Sequence, residues 1–192
     1  IDEIKKTENQ YGLKPKKLIE YGFGRLDTLL GKKQNSVKVK NNKKLILVTP
    51  SYGEGNLLEK CGIELISLLI ENGYQVFLRP HFRILRDSPE LINSIKNEFL
   101  DSPNFILHEG IIPFEQFQNS TCLISDWSGI SFEYAFIHEK PIIFIDIPKK
   151  NFNPDAKKFL GLPIEIATRE KIGKVVSPND IKEIPEILEK FV

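Results

Sequence analysis

The stretch "DWSGIS" (residues 126–131) sets an acid, an aromatic, a hydroxyl and a glycine after an apolar run and before a helical one. There Ser128 can cap the following helix, while the backbone N–H groups of Gly129, Ile130 and Ser131 point out of its N-terminus, where the dipole favours negative charge. Gly129 lets a ligand approach the main chain closely. An exposed turn of this kind suits a phosphate; without a ligand it is simply a capped helix. "RPHFR" (79–83) gathers Arg79, His81 and Arg83 around a loop fixed by Pro80. Two guanidiniums and an imidazole can bind a diphosphate, and His81 can also donate a proton to a leaving group. The plainer alternative makes both arginines surface residues and His81 a cap. Two more stretches are of interest: "PSYGEGN" (50–56), which contains Ser51, and "HEG" (108–110), where His108 begins a loop and can touch a ligand. His138 falls late in a helix, where it favours the C-terminal end.

Other chemistries lack their residues. "GFGRLD" and "GEGNLL" each hold only a G-x-G, and the first does not follow a strand, so no dinucleotide site is expected. The three histidines and two cysteines never fall at metal-ligand spacing, and no G-x-S-x-G elbow exists. Neither a metal nor a cofactor is called for. Lys plus Arg number 27 against 26 Asp plus Glu, so no general basic field argues for nucleic acid. The local basic run "KKQNSVKVKNNKK" (32–44) reads as a solvated linker, with contact to anionic lipid as the alternative.

Positioning such groups takes a scaffold, and the pattern of the chain supplies one. From Lys44 onward, short apolar runs ("KLILVTP", "YQVFLRP", "NFILHEG", "TCLIS", "KPIIFIDIP") alternate with helical stretches. The helical stretches are "NLLEKCGIELISLLIENG", "SPELINSIKNEFL" with Ser88 as N-cap and Pro89 first, "PFEQFQNS", "ISFEYAFIHE", and a final helix begun by Ser177 or Asn179. Continuous apolar strands separated by helices imply an α/β fold: a Rossmann-like, doubly wound parallel sheet with helices on both faces. Ligands of such a sheet lie outside the carboxyl ends of its strands, where all four stretches fall. Residues 1–42 read as a lead-in of one or two short helices plus the basic linker, and 43–192 as the sheet domain. Cys61 and Cys122 sit in apolar contexts as reduced core residues. No run approaches the roughly 20 apolar residues that cross a bilayer, and no signal peptide opens the chain. A chain with no Met that begins at Ile1 is expected to be a piece of a longer polypeptide.

"LVTPSYGEGNLLEKCGIELISLLIENGYQVFLRPH" followed by "LISDWSGISFEYAFIHEKPIIFIDIPKK" resembles the C-terminal half of the CDP-glycerol glycerophosphotransferase family, which builds teichoic-acid-like and capsular polyol-phosphate polymers. The resemblance covers roughly residues 20–165, "GFGRLD" included. It implies a GT-B enzyme of two facing Rossmann-like domains, this half holding a CDP-activated donor. Arg79 and His81 then lie near the donor diphosphate, His81 as the catalytic residue. Asp126, Trp127, Ser128 and Gly129 match the phosphate-holding motif, with Asp126 orienting the loop and Trp127 packing beneath it. Glu133 accepts hydrogen bonds from the ribose. Phe82 replaces a frequent proline and Gly129 a frequent second serine, which bears on donor identity more than on fold. The acceptor site and a further histidine belong to the N-terminal half, the expected partner, together with a lipid-linked or polysaccharide acceptor. Such an enzyme works on the cytoplasmic face of the cell membrane. Two other readings remain: a GT-B glycosyltransferase using a nucleotide sugar, and a flavodoxin-like receiver phosphorylated on Asp126, for which Glu54 alone would have to stand in for an acidic pair.

Overall fold

The computed structural model describes residues 1–35, 44–149 and 164–191. Most of the basic run, and with it the expected boundary at 42/43, lies outside the described residues. The lead-in forms two helices, α1 (Asp2–Gln10) and α2 (Gly24–Asn35).

Six strands follow: β1 (Leu45–Thr49), β2 (Gln75–Leu78), β3 (Phe105–Leu107), β4 (Ser120–Ser125), β5 (Ile142–Ile145) and β6 (Lys174–Val176). All pair in parallel in the order β3-β2-β1-β4-β5-β6, the doubly wound arrangement expected. The chain reverses direction of travel between β1 and β4, and a crevice opens there at the carboxyl edge. Alternate residues of each strand serve opposite faces. Ile46, Val48, Cys122, Ile124, Ile143 and Ile145 join one apolar cluster. Leu45, Leu47, Leu123, Ile142 and Phe144 join the other. The first is covered by α3 (Leu57–Glu71) and α5 (Pro89–Glu98), the second by α6 (Phe114–Asn119) and by α7 (Ile130–Glu133) with its continuation. Both cysteines are free and buried, and burial pushes the Cys61 thiol up to about 12 and that of Cys122 higher still. Neither is a nucleophile near neutral pH.

Several elements depart from the sequence reading. β6 is a sixth strand; at three residues, with Lys174 exposed, it is too short for any alternation to register. The helix Ile164–Ile172 and α4 (Phe82–Asp87) were likewise unexpected, the latter because six residues carry barely one helical period. Ser88 occupies the N-cap position of α5 but makes no side-chain cap bond. Neither Ser177 nor Asn179 starts the last helix: Ser177 Oγ accepts from the Asn179 N–H in a turn, a 3-10 turn covers Ile181–Glu183, and the α-helix is Ile184–Glu189, with Pro185 in its first turn. Lastly, "ISFEYAFIHE" is α-helical for one turn and then widens into a π-turn over Tyr134–His138.

Candidate functional site

At the carboxyl edge of β1 the sequence "SYGEGN" turns through Gly53 (φ 103°) and Gly55 (φ 69°), conformations that favour glycine, and delivers Asn56 to the start of α3. Asn56 Oδ1 accepts from the N–H groups of Leu58 and Glu59, and Glu59 reaches back to the Gly55 N–H at 2.6 Å. The Leu57 N–H is taken by Asp126 Oδ2 from across the crevice. The first three amides of α3 are therefore spent on the protein itself, which removes the helix end that a Rossmann dinucleotide site would use. Asp126 is buried, 1% exposed, rather than displayed in an exposed turn. Its Oδ1 also accepts from the N–H groups of Ser51 (2.7 Å) and Trp127 (2.6 Å), so one carboxylate ties the ends of β1 and β4 to α3. A carboxylate enclosed by three amides orients its loop and cannot serve as a receiver's phosphoacceptor. Ser51 is itself buried in this joint.

The end of α7 differs. Its N-cap is Gly129, with no side-chain cap bond, so Ser128 does not cap the helix as expected. Instead the Ser128 carbonyl accepts from the Ser131 N–H, leaving the amides of Gly129 and Ile130 as the first of the helix. Gly129 has an ordinary helical φ of −62°, and a Cβ built on it would meet nothing within 4 Å. Space in front of the turn, not backbone strain, is what the glycine provides. The fully buried Ser131 hydroxyl has no partner among the described residues.

Beside this turn lies a cavity of about 380 Å³. Arg79, Ile130 and Glu133 line it, as do Arg25 and Lys32 from α2 and an apolar floor that includes Phe114. Arg79 is half-buried and fixed by an Nε bond to the Gly110 carbonyl at 2.9 Å, which links the β2 and β3 ends. Burial pulls its basicity down without discharging it. Glu133 is held by Arg25 at 2.5 and 3.0 Å. His138 sits in the wall among Phe114, Phe117 and Tyr134. Burial, with Lys140 and Lys33 nearby, lowers its pKa to about 4, so it is neutral at pH 7 and does not complement a helix dipole as a cation.

"RPHFR" is split. Arg79 faces the cavity, whereas His81 is the N-cap of α4, its Nδ1 accepting from the Arg83 N–H at 3.2 Å. That bond uses the Nδ1 lone pair, so the neutral ring carries its proton on Nε2, the tautomer that donates to an oxyanion. His81 stacks on Tyr52, centroids 4.6 Å apart, and the Arg83 guanidinium lies 4.5 Å over the same ring. His108 bonds through Nε2 to the Ile111 carbonyl, shaping the loop that Arg79 grips.

Two basic residues escaped the sequence reading. Arg169 is buried and lies 3.9 Å over the Trp127 ring, bonded to Asp146 and to the Ile145 carbonyl at the end of β5. Trp127 in turn donates from Nε1 to the Ile147 carbonyl, which fixes the ring beside the Asp126–Gly129 turn with the Arg169 guanidinium against its face. Arg25 stands in "GFGRLD", where only the glycines form a local pattern. A single Arg in an amphipathic stretch carries no signal of its own; only the fold brings it to Glu133.

A model of the CDP-glycerol:poly(glycerophosphate) glycerophosphotransferase family matches residues 3–160. No curated protein sequence matches the chain. Among solved structures, UDP-GlcNAc 2-epimerase from Methanocaldococcus jannaschii, in complex with UDP-GlcNAc and UDP, is similar with a TM-score of 0.58 at 15% identity, over 97% of this chain and 51% of that one. A glycosyltransferase from Rickettsia africae gives 0.54 at 12% identity over 90% and 42%, respectively. An Escherichia coli heptosyltransferase with ADP gives 0.52 at 13% identity over 96% and 54%. These likenesses establish the Rossmann-like fold. The chain spans about half the length of each of these proteins.

Proposed function

The chain belongs to the CDP-glycerol:poly(glycerophosphate) glycerophosphotransferase family, and from that premise we propose that it forms the donor-binding half of a GT-B transferase. It holds CDP-glycerol, or a CDP-linked relative, for transfer of the polyol phosphate to a teichoic-acid-like or capsular acceptor presented by an N-terminal domain on the cytoplasmic face of the membrane. The observation that carries this reading is the cavity at the carboxyl edge, where Arg79, from the end of β2, and Glu133, seven residues past Asp126, line one space beside an uncapped helix start. A net positive, partly apolar cavity with one carboxylate fits a nucleoside diphosphate: phosphates toward the Gly129 and Ile130 amides, ribose hydroxyls toward Glu133.

Chemistry is a displacement at the β-phosphorus: an acceptor hydroxyl oxygen bonds to it as its proton passes to a base of the acceptor half, the bond to the bridging oxygen breaks, and CMP leaves. Catalysis of such a step rests on positioning and on neutralising charge as it develops. His81 lies outside the cavity lining, at the N-cap of α4, and its Nε2–H is the donor it offers to a departing phosphate that extends from the cavity past Arg79. To act as a full acid it must first take up a proton on Nδ1, surrendering the bond from Arg83.

Calorimetric titration of the chain with CDP, UDP, GDP and ADP tests the reading. CDP is expected to bind tightest. Absence of binding by all four removes the donor-site assignment, and a preference for UDP replaces it with the nucleotide-sugar glycosyltransferase.

A further inference from the structure

The lead-in does more than connect. Arg25, in the first turn of α2, meets Glu133, 108 residues later, through two parallel bonds of 2.5 and 3.0 Å. At the other end of α2, Lys33 Nζ lies 3.8 Å from Glu139, and between them Leu29 and Lys32 line the cavity. One side of α2 is thus a wall of the space that Arg79 and Glu133 line from the sheet domain. The two partners are unequally exposed, Arg25 at 60% and Glu133 at 20%, so the acid belongs to the cavity wall and the guanidinium closes over it.

A nucleoside diphosphate sets this carboxylate two opposed demands. Its ribose hydroxyls need an acceptor, while its phosphates are repelled by an unpaired anion a few ångströms away. A guanidinium in bidentate contact meets both. It occupies one lone pair on each carboxylate oxygen, leaves the others for hydroxyls, fixes the plane of the group, and balances its charge. With His138 neutral, the described lining has three cations (Arg25, Lys32, Arg79) to one anion; without Arg25 it has two.

We propose that Arg25 is a positioning residue of the donor site, acting through Glu133, and that α2 is a working wall of that site; this rests on the donor-site reading above. The experiment is a double-mutant cycle on the 192-residue chain with CDP as the calorimetric probe. Arg25→Ala is expected to weaken CDP about tenfold, and Arg25→Lys, which keeps charge but loses the fork, by less. Glu133→Gln is expected to weaken it about threefold, and the double variant no further than Glu133→Gln alone, because the amide has no charge left to balance. Thermal unfolding should hardly move in Arg25→Ala, since an exposed pair contributes little to stability. Wild-type affinity in Arg25→Ala, or strictly additive losses in the cycle, overturns the role of Arg25 while leaving the donor site standing. Failure of the wild-type chain to bind any of the four nucleotides overturns both.

Discussion

Two helix N-termini flank the reversal between β1 and β4, and the chain treats them oppositely. That of α3 is closed: Asn56 and Asp126 accept its first three amides, and Glu59 secures the residue before the cap. That of α7 has no side-chain cap: backbone carbonyls take its Ser131 and Phe132 amides, Ser128 the first and Gly129 the second. Every helix begins with amides that its own ladder cannot satisfy. Where side chains satisfy them the end is scaffold, and where they do not, an anion can. Asp126 and Glu133, seven residues apart, show the same division. The first is enclosed by backbone donors; the second is held by an exposed arginine whose bonds leave acceptor capacity over.

Breaking the closed end should have the largest effect. Asp126→Ala leaves the amides of Ser51, Leu57 and Trp127 without their acceptor, and is expected to cost about 3 to 5 kcal/mol in denaturant unfolding at an unchanged slope. A loss under about 1 kcal/mol would mean that water replaces the carboxylate and the closed end is not structural. Next is Arg169→Leu, which removes the cation under Trp127 and strips the Ile145 carbonyl of a donor. About 2 kcal/mol should be lost. Because Trp127 is the only tryptophan, its emission should shift as its packing loosens, and an unchanged spectrum would detach Arg169 from the Asp126–Gly129 turn.

On the open side the effects are smaller. His138, with its pKa lowered from 6.5 to about 4, contributes stability that is complete above pH 6.5 and is lost as the pH falls toward 4, because the unfolded chain takes up the proton first. His138→Phe should flatten that part of the acid limb, and an unaltered limb would refute the buried neutral ring. Ser128→Ala sharpens the contrast most. With no cap bond to lose, its stability should change by less than about 0.5 kcal/mol, whereas a larger loss would show that the hydroxyl caps α7 after all.

Much of this was legible in the sequence because it repeats. The first five strands are uninterrupted apolar runs, so their positions, their parallel pairing and the strand-end location of "DWSG" and "RPHFR" follow from pattern alone. β6 and α4 escape because three or six residues hold fewer than two periods, too few for a pattern to register. The state of Asp126 escapes for a different reason. Its neighbours in sequence look like an exposed turn, and only the approach of Ser51 and Leu57, 75 and 69 residues away, buries it. Arg25 and Arg169 are of the same kind, since their partners Glu133 and Trp127 lie far along the chain. Long-range pairing of single polar residues leaves no local trace, whereas local capping chemistry, as at Asn56 and Glu59, does.

The Asp126 joint also sets a clock. Amides in loops usually exchange their hydrogens with solvent quickly, through small local openings. The amides of Ser51 and Leu57 are bonded to a carboxylate 75 and 69 residues away, so freeing them requires the ends of β1 and β4 to part. In deuterium they should keep their protons about as long as the buried strands on either side, marking the centre of the crevice as the slowest-breathing irregular backbone among the described residues.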